Sequence, residues 1–234
     1  MSDAERSHAE RVARMRQAAQ RAEGPWAAKR ELAAALRKLL EHLPSTAAPE
    51  QELSALLPTI RDAAHRFAAA GRAPASSRPV SLYPGMENFQ DTGPIVGLSN
   101  PLAPPLEFSV DAVARLARGR GRFGAAYEGA PGLLHGGILA AAFDELLGVA
   151  TVFSGGAGMT RELTVRYLRP TPIDVELEFT ARLERAEGRR LFVSAEVEVA
   201  GVRTAEASGV FVAVGGDRFE AFERARRGKR ERGA

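Results

Sequence analysis

Two hydrophobic periods divide this chain, and the change between them falls near residue 105. Upstream, apolar residues recur at helical spacing. Leu32, Leu36, Leu39, Leu40 and Leu43 follow the i, i+3, i+4, i+7 rule, and Pro44 ends that helix. A second stripe runs Leu53, Leu56, Leu57, Ile60, Ala64 and Phe67, with Pro58 inside it as a kink or break. The two predict a helical hairpin laid on another surface, preceded by a charged helix at about residues 4–20. Residues 73–104 read as a linker, punctuated by Pro, Gly, Ser and Asn.

Downstream the period becomes two. Leu106-Glu-Phe108-Ser-Val110 and Phe123-Gly-Ala-Ala-Tyr127 alternate, which predicts two strands. Four further alternating segments follow a Gly155–Gly158 turn. Leu163, Val165 and Tyr167 share one face of the first; Val175, Leu177, Phe179, Ala181 and Leu183 share a face of the second. Leu191, Val193, Ala195, Val197 and Val199 point inward on the third, and the last strand runs from Val202 to Val214. Glu176, Glu178, Arg182, Glu184, Glu196 and Glu198 occupy the opposite faces, as on a solvated sheet surface. Between the two groups of strands, Ile138–Phe153 is apolar or small except at Asp144, Glu145 and Thr151. A helix apolar all round is a buried one. One such helix with about six strands, the last four in an antiparallel meander, is fully buried only if the sheet curves around it.

Composition narrows the chemistry. With no cysteine, thiol nucleophiles, disulfides and cysteine-bound metals are excluded. His8, His42, His65 and His135 are scattered with no metal-ligand spacing, so no metal is expected. The formal charge is +3, and residues 217–234 alone hold seven Arg or Lys against four Asp or Glu. The rest of the chain is therefore about neutral, and the basic excess is a property of its tail. No nucleic-acid partner is expected: the connection after Pro44 is long for a helix-turn-helix, and a basic recognition face is missing. The charged N-terminus does not read as a secretory signal, and no membrane span is expected, which predicts a cytoplasmic protein.

The chemistry concentrates in residues 129–160. His135 opens the apolar helix with Gly136 and Gly137 in its first turn, where backbone N–H groups lack helical partners and negative charge is favoured. Two glycines would let a carbonyl or oxyanion approach closely; they would equally serve close packing. Nine residues on, Asp144 lies about two and a half turns away. A carboxylate within an apolar helix costs several kcal/mol, by order of magnitude, unless it is paired or has a task. A structural pairing with an arginine across an interface is one explanation, and a site completed between two subunits is the other. Glu145 diverges from Asp144 by about 100° and is its rival. Gly119-Arg-Gly121-Arg-Phe-Gly124 fits a dinucleotide string but reads as a turn into a strand, with no helix opening after it.

Together these residues resemble a known family. Tyr127-Glu128-Gly129-Ala-Pro131-Gly132-Leu-Leu-His135-Gly136-Gly137, Asp144, Met159-Thr160, Tyr167-Leu-Arg169-Pro170 and Glu187-Gly188-Arg189 look like the hotdog-fold thioesterases, in particular the phenylacetate-pathway (PaaI) type, over residues 105–214. The resemblance implies an α+β hotdog domain at 105–216; the helical extension at 1–72, the linker at 73–104 and the basic tail at 217–234, read from pattern and composition, lie outside it. It implies acyl-CoA hydrolysis in a homodimer or a dimer of dimers, with coenzyme A as part of the substrate and no separate cofactor. The Gly136 N–H would polarise the thioester carbonyl while His135 holds the turn. Asp144 of the other subunit would act as base or nucleophile, and Thr160 would help position it. Gly137 and Glu145 would border the substrate, and Arg169, Arg189 and Arg190 are candidates for the coenzyme A phosphates. One departure is Gly129, where some relatives carry a polar side chain. A non-catalytic acyl-CoA sensor is the alternative.

Overall fold

The computed structural model describes residues 24–71, 91–104 and 106–214. The expected helix at 4–20 and the basic tail lie outside the described residues. Helices α1 (Pro25–His42) and α2 (Glu50–Ala70) precede strands β1 (Leu106–Asp111) and β2 (Leu116–Arg122). The central helix α3 (Gly136–Ala150) follows, and then β3 (Ala157–Tyr167), β4 (Glu176–Glu187), β5 (Arg190–Val199) and β6 (Val202–Val214).

All six strands form one antiparallel sheet in the order β1-β2-β4-β5-β6-β3. The alternation places Leu177, Phe179, Ala181, Leu191, Val193, Ala195 and Val197 inward and buried. Leu139, Ala142, Phe143, Leu146, Leu147 and Ala150 on α3 meet that face, and Phe143 packs edge-on against Phe179 at 5.8 Å. Small residues at the contact (Ala117, Ala181, Ala195, Ala207) let the helix sit close to the sheet. A Cβ at Gly209 would lie 2.9 Å from the Phe211 ring, so that position too is set by packing. The architecture is the hotdog arrangement, a curved sheet around one helix.

Four expectations change. First, the last four strands are not one meander. Only β4-β5-β6 is; β3 crosses to pair with β6 at the sheet edge. The connection 168–175 is too long for a tight hairpin and is tied beneath the start of α3, where the Leu134 N–H donates to the Thr171 carbonyl at 2.9 Å. Period-two alternation carries no information about which strands are neighbours. Second, Phe123–Tyr127 is not a strand. Its Ala125–Tyr127 part is a short 3₁₀ turn, and the glycine string at 119–124 lies mostly within β2. There, Gly119 makes room for the Phe108 ring, which would sit 2.6 Å from a Cβ.

Third, α3 is buried on one face only. Gly136–Ser154 has a mean hydropathy of 1.6, long and apolar enough by length and composition alone to cross a membrane, though it carries Asp144 and Glu145. It packs on the sheet, yet Ile138, Ala140, Ala141, Asp144, Glu145 and Val149 remain half-exposed in the single chain.

Fourth, α1 does not dock through its leucines. Trp26 and Ala33 are buried, and Arg30 and Arg37 lie on that same face. Arg30 pairs with the buried Asp91 (2.7 Å), which Ser99 also engages. Arg37 donates to the carbonyls of Ala103 (2.7 Å) and Asn100 (3.1 Å). Residues 91–104 are thus packed turns that receive a helix, because buried backbone carbonyls need donors and arginine supplies several in one fork. The leucine stripe lies about 100° round the helix from the docked face. Leu32, Leu39, Leu40 and Leu43 stay exposed, and α2 has no buried residue at all.

Candidate active site

The path into α3 is held residue by residue. The end of α1 rests against Gly124, where an added Cβ would collide with the Glu41 carboxylate. Tyr127 packs edge-on against the buried Phe123, and its hydroxyl donates to the Leu102 carbonyl at 3.3 Å. Burial holds the Tyr127 phenol above its ordinary range, with Arg37 opposing that shift and Glu41 reinforcing it. The Tyr127 carbonyl in turn accepts from the His135 N–H at 2.9 Å. Gly129 backs directly onto His135: a Cβ there would lie 2.9 Å from the His135 Cα. The departure from family pattern at Gly129 therefore has a steric cause, since no side chain fits.

His135 is the N-cap residue of α3. Its Nδ1 accepts from the Gly137 N–H at 3.0 Å, which makes that nitrogen the unprotonated one in this arrangement. The His135 carbonyl accepts from Ile138 (2.9 Å) and Leu139 (3.1 Å). The Tyr167 hydroxyl, from the end of β3, donates to the Gly136 carbonyl at 2.8 Å. Of the N–H groups that open the helix, that of Gly136 has no partner among the described residues. Its peptide is polarised by the two bonds to the His135 carbonyl, which strengthens it as a donor. A half-exposed, unpaired donor at a helix start suits a carbonyl or oxyanion.

Asp144 lies about 12 Å further along α3. Its Oδ1 accepts from the Thr160 hydroxyl at 2.8 Å, so β3 and α3 together orient this carboxylate. Asp144 is half-exposed in the single chain, and the cost of burying its charge does not arise there. Glu145 is half-exposed as well, one step round the helix. Within one chain, then, His135, Gly136, Gly137 and Tyr167 form one group, and Asp144 and Thr160 form another. The arginines do not gather. Arg169 follows Tyr167 and donates to the Arg203 carbonyl (2.9 Å). Arg189 donates to the Ala213 carbonyl (3.1 and 3.2 Å), and Arg190 lies 3.9 Å from Glu187. Arg190 is level with Val212, which pairs across to Met159, so it belongs to the Thr160 end of the sheet. Glu187 is held below the usual carboxylate range by its hydrogen bond from Arg185. The sequence places Tyr167 on a strand face with Leu163 and Val165 and in the Tyr167–Pro170 segment of the resemblance, without a site role; its hydroxyl contact with Gly136 depends on β3 lying at the sheet edge.

A family profile described as the thioesterase superfamily matches residues 131–206, the segment holding both groups. A crystallised thioesterase superfamily protein is 30% identical and superposes with a TM-score of 0.70, covering 79% of this chain and 90% of that one. The chain belongs to the thioesterase superfamily. That coverage reaches beyond residues 105–214, so the likeness to this superfamily member is not confined to the hotdog domain. Among curated superfamily relatives, the acyl-coenzyme A thioesterase THEM4 of Bos taurus is 40% identical over 87 residues, 36% of this chain and 35% of that protein. The THEM4 protein of Xenopus laevis is 37% identical over 70 residues, 30% of this chain and 32% of that protein. The matched segment makes up about a third of the length of these relatives.

Proposed function

We propose that the chain hydrolyses acyl-CoA thioesters at a site completed between two copies. The observation that carries this reading is the separation of the unpaired Gly136 N–H from the Asp144–Thr160 pair, about 12 Å along one helix. No thioester carbonyl can meet both within one chain, since donor and base must lie about 3 Å from the reacting atoms. The edge strand β3 offers the remedy. Among the described residues it pairs only with β6, leaving a row of open backbone groups with Met159 and Tyr167 exposed beside them. Two β3 edges related by a two-fold axis run antiparallel. The Thr160 end of one copy then comes to the Tyr167 end of the other, carrying Asp144 towards the partner's first helical turn.

In the reaction, the Gly136 N–H donates to the thioester oxygen and stabilises the charge that develops there, while the His135 cap and the Tyr167 hydroxyl hold the turn. Asp144, oriented by Thr160, removes the proton of a water attacking the carbonyl carbon, or attacks that carbon itself. The C–S bond breaks and coenzyme A leaves as a thiolate that takes up a proton. By the water route the acid forms directly; by the covalent route a water then hydrolyses the acyl–Asp144 anhydride, releasing the acid and restoring the carboxylate. Gly137 and Glu145 border the carbonyl. Arg169, Arg189 and Arg190 lie at opposite ends of the sheet, and the same two-fold brings the two ends together as candidates for the coenzyme A phosphates. Curated relatives named acyl-coenzyme A thioesterase THEM4 support an acyl-CoA substrate rather than a particular phenylacetyl one.

The test is hydrolysis of short-, medium-, long-chain and aryl acyl-CoAs by the wild type and by Asp144→Asn, with mass measured by light scattering. Turnover by an oligomer that falls by roughly 1,000-fold or more in the variant supports the assignment. Full activity in Asp144→Asn removes Asp144 from the mechanism. Tight acyl-CoA binding without turnover by the wild type replaces the enzyme with a sensor.

A further inference from the structure

We propose that the leucine faces of α1 and α2 form an interface with a second copy of this chain, the four helices packing together about a two-fold axis. The reason lies in how the extension is attached. Helix α1 is fixed to the body by Trp26, Ala33, Arg30 and Arg37, and its most apolar stripe is turned away from that contact. Helix α2 carries a second exposed stripe, Leu53, Leu56, Leu57, Ile60 and Phe67, and none of its residues is buried among the described residues. An amphipathic helix of 21 residues draws most of its stability from covering such a stripe.

Size identifies the occupant. Leu32, Leu39 and Leu40 of α1, Leu43 just after it and the five residues of α2 are each between 37% and 57% exposed. At roughly 80 Å² apiece they present about 700 Å² per copy, so self-pairing covers about 1,400 Å², within the range of a stable interface. The rest of the described surface offers no match. The outer sheet face is a ladder of alternating charges: Arg166–Glu206 (3.1 Å), Arg203 with Glu206 (3.7 Å) and Glu196, then Arg182 with Glu196 (3.6 Å) and Glu184 (3.9 Å). Met159, Tyr167 and Leu168 belong to the β3 edge. A lipid surface is disfavoured by charge, because residues 25–70 hold six Lys or Arg against five Asp or Glu, without the basic excess that anionic membranes select. Among the described residues, the surface of matching size and polarity is the same face on another molecule.

The absence of cysteine makes the experiment direct. In the full chain, Leu56→Cys places a single thiol on the stripe, and Asp62→Cys places one on the opposite side of α2, about 180° from its centre. The expected result with a short bis-maleimide is a covalent pair of chains from Leu56→Cys and almost none from Asp62→Cys. In parallel, Leu56→Glu/Ile60→Glu is compared with wild type by light scattering and by dilution. The mass halves, or, if the β3 edges share the same axis, the dissociation constant rises by at least about 100-fold. Both substituted side chains are already half-exposed, and an unchanged circular dichroism spectrum certifies the fold. Equal cross-linking from the two thiols, or a wild-type mass and dissociation constant in the charged variant, overturns the proposal. So does a Leu56→Cys thiol shielded from maleimide in an uncross-linked chain, which would place the chain's own residues 1–23 on the stripe. Flotation of the wild type with phosphatidylcholine vesicles, lost in the charged variant at unchanged mass, would assign the stripe to lipid. Asp144→Asn should leave every one of these readouts unchanged, so failure here is separate from failure of the thioesterase reading.

Discussion

Replacing Gly136 by Ala tests the free N–H without dismantling the fold. An added Cβ would lie 3.3 Å from the Cζ and Oη atoms of Tyr167 and 3.4 Å from its Cε1. That is tight contact with one ring, and the ring is 55% exposed, so it can retreat by a few tenths of an ångström. Against this small cost stands the gain of about 0.5–1 kcal/mol for Ala over Gly in a helix, less in the first turn. The folding stability should therefore change by less than about 1 kcal/mol. Activity should not be spared. The methyl group and the displaced tyrosine crowd the one unpaired donor of the turn, and an oxyanion donor contributes about 2.7–4 kcal/mol to the barrier. Hydrolysis of acyl-CoA, followed by release of the coenzyme A thiol, should fall by about 100-fold or more while the urea midpoint barely moves. Activity within about threefold of wild type, at unchanged stability, would refute the assignment of the Gly136 N–H to the thioester carbonyl.

Thr160→Val removes the 2.8 Å bond to Asp144 and keeps the side-chain shape. A hydrogen bond to a charged group is worth about 1.5–3 kcal/mol, so kcat should drop by about 10- to 100-fold with KM little changed; equal losses in both would point to substrate binding instead. Asp91→Ala removes the carboxylate that holds Arg30 and Ser99 against the body. Because this pair is largely buried, unfolding in urea should show a loss of about 2–4 kcal/mol, and hydrogen exchange should rise along α1; an effect under about 0.5 kcal/mol would mean that the helix docks without the ion pair. Gly129→Ala forces a methyl to 2.9 Å from the His135 backbone, which cannot yield as a flexible side chain can. It should lower stability and activity together, unlike Gly136→Ala, and a fully active, fully stable variant would contradict the packing.

Much of the hotdog domain was legible because its strands are half-buried. Alternation at Leu177–Leu183 and Leu191–Val199 reports the inward face directly, and both sets point into the core, apart from the partly exposed ends of each strand. The same logic misjudged two places. In α3 the apolar residues surround the helix, yet one chain covers only half of it, since sequence hydrophobicity does not say whether cover comes from within the chain or outside it. In α1 the leucine stripe suggested the docked face, whereas Trp26, a small Ala33 and two arginines make the contact. Arginine forks satisfying buried carbonyls look like surface charge in a sequence. Residues 91–104, rich in Pro and Gly, read as a linker for the same reason: their order comes from the helix that packs on them.

For the candidate site, local sequence determined the parts. A histidine followed by two glycines at a helix start specifies the cap and frees one N–H, because both depend only on the first helical turn. The spacing of Asp144 from His135 determined that the two cannot meet in one chain, a consequence of helix rise alone. Tertiary structure decided the rest. The placement of β3 beside β6, rather than beside β4, brings Thr160 to Asp144 and Tyr167 to Gly136. Strand order is set by which edges close around the helix, a global packing condition that no local period encodes.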